Sequence, residues 1–450
     1  MDRWVVRRPA IAYTLSRPKT DCVVSVSARR LVSDVTLPIK TLSIVERWDC
    51  TSCGQCCRGT VIPLDGADLQ RLRSQQWHKH PDYRGVKTVV RQGIFPRRYR
   101  LAQRDDGRCV FLTEQGRCRI HEEFGLAAKP LVCRMYPLQL VPLDDVALLT
   151  VRRSCPTAAA DQGRELLAHR EAVRQFVRER PPLAQTVRPP AIRGNARRSW
   201  QDTRLVTGTL ERLLTDSQYP LVRRMVHGLR FCDLLAQCRV VKQDRQQWAE
   251  LVTLLAEGVR QEVADLFRER AAPGKAASVL FRQTVAEYLR LHPRFAVEPS
   301  WRERLRLASA ALSFVRGKGP VPRLHDRFPD ATFEVIEQRK LGHLGAELQQ
   351  PLQRYFEAMA SSHQYAVLSR RGWSLIDKFR ALAIAYPVAL WMLRYFCGDR
   401  DPEADEIIDI ITAIDRGQGW GPLVGRQHRR RVSQLAGLGE LERLVIWYAR

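Results

Sequence analysis

Cys50-Thr51-Ser52-Cys53-Gly54-Gln55-Cys56-Cys57 sets four thiols within one short stretch, and how those thiols are used determines how the first third of the chain folds. Two-residue spacers let successive cysteines curl their sulfurs toward one centre, which is why C-x-x-C recurs in zinc sites and C-x-x-C-x-x-C in iron-sulfur sites. Cys50, Cys53 and Cys56 satisfy the longer form. Cys57 follows at once, and adjacent side chains tend to diverge, so it is expected to serve a second centre or to be no ligand at all. Four more cysteines, Cys109, Cys118, Cys133 and Cys155, complete a set of eight among the twelve in the chain. Eight thiols are what two four-coordinate sites consume. Cys155 precedes Pro156, as the last ligand of a ferredoxin-type run does.

Composition frames this cluster. At 450 residues the chain is long enough for two or three domains with cores of their own, so cysteine is not needed as a staple. Met1 to Pro18 has no apolar stretch long enough for a secretory leader, which predicts a cytoplasmic, reducing address where clustered cysteines are metal ligands rather than disulfides. The longest mostly apolar run, Ala381 to Leu393, contains Pro387 and stops at Arg394, short of the roughly 18 residues a membrane span needs. It reads as a buried helix, with no membrane partner.

The formal charge is +26, from 74 Lys and Arg against 48 Asp and Glu, and the half holding the cysteines is the more basic. An acidic or anionic partner is the expectation. The densest basic stretch, Arg71 to Arg100, is interleaved with Trp77, His78, His80 and Tyr83, a mixture that nucleic-acid surfaces also use. No helix-turn-helix, zinc-finger or RNP pattern accompanies it, so a solvated basic face is the preferred reading. A four-thiolate site holding Zn²⁺ or a doubly positive iron-sulfur core has a net charge of about −2 and gains from cationic neighbours. Arg58, Arg108, Arg117, Arg119 and Arg134, each next to a clustered cysteine, are expected to supply them.

Four zones follow. Residues 1–47 form an N-terminal extension with strand-like alternation at Cys22 to Val26 and Leu42 to Val45. Residues 48–160 are the cysteine zone, where a helix over Ala67 to Gln76 follows Asp65. Short strands are predicted there at Cys109 to Leu112, Leu138 to Val141 and Val146 to Val151, between turn signals such as Asp105-Asp106-Gly107. Residues 161–198 hold a helix and a Pro/Arg-rich linker. Residues 199–450 are helical, with apolar stripes such as Trp248, Leu251, Leu255, Val259, Val263 and Leu266. The fold class predicted is α+β: a small irregular metal-binding domain followed by a mainly α-helical bundle.

The ordered motifs Cys50 to Cys57, Gly107-Arg108-Cys109-Val110-Phe111-Leu112, Gly116-Arg117-Cys118-Arg119-Ile120-His121 and Lys129-Pro130-Leu131-Val132-Cys133-Arg134-Met135-Tyr136-Pro137-Leu138 resemble the CxxCxxCC cysteine-cluster family, a YkgJ-like zinc- or iron-chelating domain. That family includes the flagellin lysine N-methylases. The resemblance covers about 48–156. It implies an iron-sulfur cluster or zinc held by Cys50, Cys53, Cys56, Cys57, Cys109, Cys118, Cys133 and Cys155. It further implies methyl transfer from S-adenosylmethionine to lysines of a protein substrate such as flagellin. No strand followed by a G-x-G-x-x-G turn marks a methyl-donor cradle, and the C-x-x-x-C-x-x-C spacing of radical use of that donor is absent. The alternatives are a non-catalytic metal-binding or redox-sensing protein and, behind it, a basic nucleic-acid binder. His121 is expected to hydrogen-bond near the centre and Tyr136 to pack against it.

Overall fold

The structure is a computed structural model that describes residues 36–450 apart from 59, 94–96, 241–242, 270, 294–300, 343, 369–371 and 420–424. The expected strand at Cys22 to Val26 lies outside the described residues. Among the described residues six strands occupy the first third of the chain: β1 Ile39–Thr41, β2 Pro63–Leu64, β3 Val89–Gln92, β4 Arg98–Leu101, β5 Leu138–Pro142 and β6 Ala147–Val151. They form two three-stranded sheets. One runs β1-β6-β5, with β1 parallel to β6 and β5 antiparallel to it; the other is antiparallel, β2-β4-β3. Short helices pack around them: α1 Gly66–Ser74, α2 Arg119–Phe124, α3 Leu131–Met135, α4 Pro156–Ala159 and α5 Arg170–Glu179.

The remainder is a bundle: α6 Trp200–Thr215, α7 Leu221–Gln237, α8 Arg245–Glu262, α9 Ala264–Glu269, α10 Lys275–Leu289, α11 Trp301–Arg316, α12 Phe333–Gln338 and α13 Ala346–Ser361. It ends with α14 Gln364–Val367, α15 Leu375–Cys397, α16 Ala404–Gly419, α17 Arg426–Gly437 and α18 Leu441–Tyr448. The architecture is α+β, as the sequence predicts. The apolar run around Ala381 is buried on nearly every side within α15, and α7, α10, α16, α17 and α18 pack around it. A helix apolar all round belongs in the middle of a bundle. Among the described residues no helix is long and apolar enough to cross a membrane.

Three local expectations are corrected. Cys109 to Leu112 is not a strand but a tight turn, closed by Leu112 N–H donating to Cys109 O and flanked by single bridges to Gln103 and Cys118. The N-terminal strand sits at Ile39–Thr41 rather than at Leu42 to Val45, because pairing with β6 fixes it. Trp77 and Tyr83 point into the core, 3% and 5% exposed, stacking around Phe111, so neither is presented for base stacking.

The halves are joined by buried polar contacts. Asp415 of α16 accepts from Arg152 Nε at 3.0 Å and from the Ser154 backbone N–H at 2.8 Å, while its carbonyl accepts from Arg152 Nη2 at 2.7 Å. Gln364 of α14 donates to Thr150 Oγ1 and Val151 O on β6. The Pro/Arg-rich segment is packed too, with Ala184 and Ile192 fully buried and Ala191 O accepting from Leu375 N.

Candidate metal centre

Each cysteine is placed by local structure that its neighbours dictate. Trp48 N–H donates to Arg164 O, Asp49 accepts from Arg164 at 2.8 Å, and Thr51 Oγ1 meets Thr157 Oγ1 at 3.0 Å. These straps lay the start of the cysteine stretch along the chain that follows Cys155. The stretch then turns through left-handed backbone at Ser52 and Gly54. A Cβ on Gly54 would stand 3.2 Å from Gly116 O, so the loop lies directly on the turn that carries Cys118. A single 3₁₀ turn, Gln55–Cys57, closes it, and Cys109 N–H donates to Cys57 O at 2.7 Å.

The other thiols arrive on short helices. Cys118 and Cys155 are the N-cap residues of α2 and α4. Cys133 lies within α3, whose first N–H, from Leu131, is taken by the buried Asp68 of α1 at 3.0 Å. Gln75 at the end of α1 donates to Ala128 O, fixing the loop before Lys129. Helix α1 therefore aims both Lys129 and Cys133, and the Asp65/Asp68 capping box secures its own start.

Cys56 is the common neighbour. Its Sγ is 3.8 Å from Cys57 Sγ, and it interacts electrostatically with Cys109, Cys133 and Cys155. Cys118 couples to Cys109 and Cys133, and Cys53 to Cys155. Cys50 and Cys53 are exposed, Cys109 and Cys155 buried, and the remaining four between. All eight are free thiols. The expectation that Cys56 and Cys57 diverge is corrected: the 3₁₀ turn brings both sulfurs to one side. Their spacing matches the roughly 3.8 Å edge of a tetrahedron with 2.3 Å zinc–sulfur bonds, so the donor pair fits a shared ion. Among the described residues no three Cys, His, Asp or Glu side chains are closed to coordination distance of one point.

The thiols sit in a setting that protonation relieves. The hydrogen bond that the Cys56 S–H donates to Cys57, then burial, pushes Cys56 well above the ordinary thiol value, and burial pushes Cys109 and Cys155 up to about 11 and Cys133 upward as well. Trp48 offers the opposite influence. Its buried Nε1–H completes no well-formed hydrogen bond but lies close enough to Cys155 to lower that thiol against burial, a donor that a thiolate or metal-bound sulfur would satisfy.

Neutralising charge comes from an unexpected residue. Arg108, Arg117 and Arg119 pair with Asp106, Glu122 and Asp82, and Arg134 is buried against Glu179 with its guanidinium 5.6 Å from the Phe176 ring. Carboxylates, not thiolates, hold them. Lys129 takes their place: burial opposes its charge, but Cys118, Cys133, Cys57 and Cys56 outweigh burial and raise it above the ordinary lysine value. Its position in the Lys129-Pro130 motif was the available signal. His121 is exposed on α2 rather than turned into the centre. Tyr136 packs as expected, its hydroxyl donating to Ser154 Oγ at 3.2 Å beside Cys155 and Cys56.

No solved structure matches the chain. Uncharacterized protein MJ0939 of Methanocaldococcus jannaschii is 31% identical over 111 residues, 24% of this chain. The match spans 36% of that protein's length, so it compares one segment of each. Residues 49–156 match the family model CxxCxxCC, described as "putative zinc- or iron-chelating domain", and over that segment the chain carries a CxxCxxCC domain.

Proposed function

We propose that this protein binds zinc or an iron-sulfur cluster through Cys50, Cys53, Cys56, Cys57, Cys109, Cys118, Cys133 and Cys155. The observation that carries this reading is the gathering of thiols from four separate chain segments around Cys56, beside the Lys129 ammonium and the buried Trp48 indole N–H. Reduced thiols packed this closely repel one another once ionised, and a metal ion both displaces their protons and compensates their charge. Cys57, Cys109, Cys118 and Cys133 share the cluster built on Phe111, while Cys155 belongs to the core under the β1-β6-β5 sheet. That division favours an inner group of thiols under Lys129 and an outer group of Cys50, Cys53 and Cys155, with Cys56 at their junction.

The test is anaerobic purification followed by visible spectroscopy and elemental analysis. A coloured protein with bound iron and sulfide supports the cluster, and a colourless protein with stoichiometric zinc supports the simple ion. A metal-free protein with the same fold contradicts both. Methyl transfer from S-adenosylmethionine to a flagellin-like protein is the finer reading that the family resemblance implies. Labelled donor incubated with the loaded protein and a host lysate tests it; a labelled lysine in a protein band supports it.

A further inference from the structure

Helix α16, which lies outside the matched domain, packs against α4, the short helix capped by Cys155. Asp415 receives the backbone N–H of Ser154 and the Arg152 guanidinium, which pins the helix one residue before Cys155. The next residue, Arg416, is partly buried and donates from Nη1 to Leu291 O at 3.1 Å. Its guanidinium lies within electrostatic range of Cys56 and Tyr136, the tyrosine that bonds Ser154. Gly417 then fits against Tyr288, where a Cβ would stand 2.3 Å from the ring, so α16 has no freedom to slide away.

We infer that Arg416 is a positioning residue of the metal centre, contributed by the helical half, whose charge balances the thiolates around Cys56 and Cys155. Metal occupancy and the docking of α16 are thereby coupled. The inference rests on the metal reading above. Its physical basis is charge balance at a crowded site. Asp415 is committed to Arg152 and Ser154, and Asp409 is the other carboxylate in range of Arg416. Protonated thiols give the guanidinium no counter-charge, whereas a metal with four thiolates is net negative and does. Coupling of this kind is reciprocal: what metal lends to docking, docking lends to metal retention.

The experiment uses the full chain, loaded with metal anaerobically. Metal loss to excess chelator is timed for the wild type, Arg416→Ala and Arg416→Lys, and amide hydrogen exchange of α16 is compared in loaded and stripped wild type. The expected result is roughly tenfold faster loss from Arg416→Ala, restoration by Arg416→Lys to within about twofold, and faster exchange across α16 after stripping. Equal loss rates for wild type and Arg416→Ala overturn the inference, and so does Arg416→Lys losing metal as fast as Arg416→Ala, which assigns packing rather than charge. Should Arg416→Ala not fold, the wild-type exchange decides: α16 unchanged on stripping overturns the coupling. A wild-type chain that takes up no metal instead overturns the metal reading itself, and this inference with it.

Discussion

Lys129 is the residue that most clearly separates charge in the sequence from charge at the site. Arginines abound beside the cysteines, yet carboxylates hold Arg108, Arg117, Arg119 and Arg134, and a cation that does face the thiols is one of only ten lysines. Adjacency along a chain says little about adjacency in space, so counting basic neighbours found the right sign but passed over Lys129 and chose four arginines that carboxylates hold. Lys129→Ala is expected to weaken metal affinity roughly tenfold, with Lys129→Arg closer to wild type, in a competition titration against a chromogenic chelator. The thiols give a second prediction. Cys109 and Cys155 are pushed up to about 11, so below that pH each carries a proton that coordination must expel. Affinity therefore rises with pH through neutrality and falls on acidification, by up to roughly a factor of ten per pH unit for each thiol displaced. The same titration at three pH values measures the slope; a flat profile counts against thiolate ligation.

At the scale of elements, the patterns that survived folding were those carried by a hydrophobic face or a cap. Asp65 and Asp68 mark the start of α1, and β5 and β6 stand where alternation placed them. Cys109 to Leu112 has the same apolar density but no partner strand; it buries Phe111 by turning, and single-strand alternation cannot see which neighbour is missing. The pairing of β1 with β6 joins segments a hundred residues apart and leaves no local trace. Gly163 shows how such a distant constraint works. Its φ of +111° and the approach of Asp49 N to within 2.4 Å of a Cβ position admit only glycine where the cysteine stretch is strapped down. Gly163→Ala is expected to destabilise the fold by about 3 kcal/mol in urea denaturation and to loosen the exposed Cys50–Cys53 arm, read as faster alkylation of those two thiols. A change within 0.5 kcal/mol, about the spread of ordinary surface substitutions, removes that account of the strap.

The whole molecule is a small cysteine domain docked on a helical bundle, and the chemistry of the interface is polar. Arg152 and Asp415 have side chains 5% and 1% exposed and meet at 3.0 Å, so the pair is held out of water at the junction. Asp415→Ala removes the carboxylate that Arg152 Nε and the Ser154 N–H share and is expected to cost about 3 kcal/mol and to split one unfolding transition into two, followed by calorimetry. A single unshifted transition contradicts the interface described here. Both halves were legible as separate zones from composition and periodicity. Their junction was not, because Asp415 and Arg416 are ordinary charged residues on an amphipathic helix until the fold brings Ser154 and Cys155 against them. The family resemblance stops short of Arg416, since only residues 49–156 match.

Metal content per chain, measured by mass spectrometry on anaerobically prepared protein, puts the most direct question. The wild type and the Cys232→Ala, Cys238→Ala and Cys397→Ala variants, altered in the helical half, are predicted to carry the same zinc or iron, whereas Cys56→Ala, at the junction of the thiols, loses most of it. Equal metal in Cys56→Ala and wild type, or none in any of them, would contradict a centre built around Cys56.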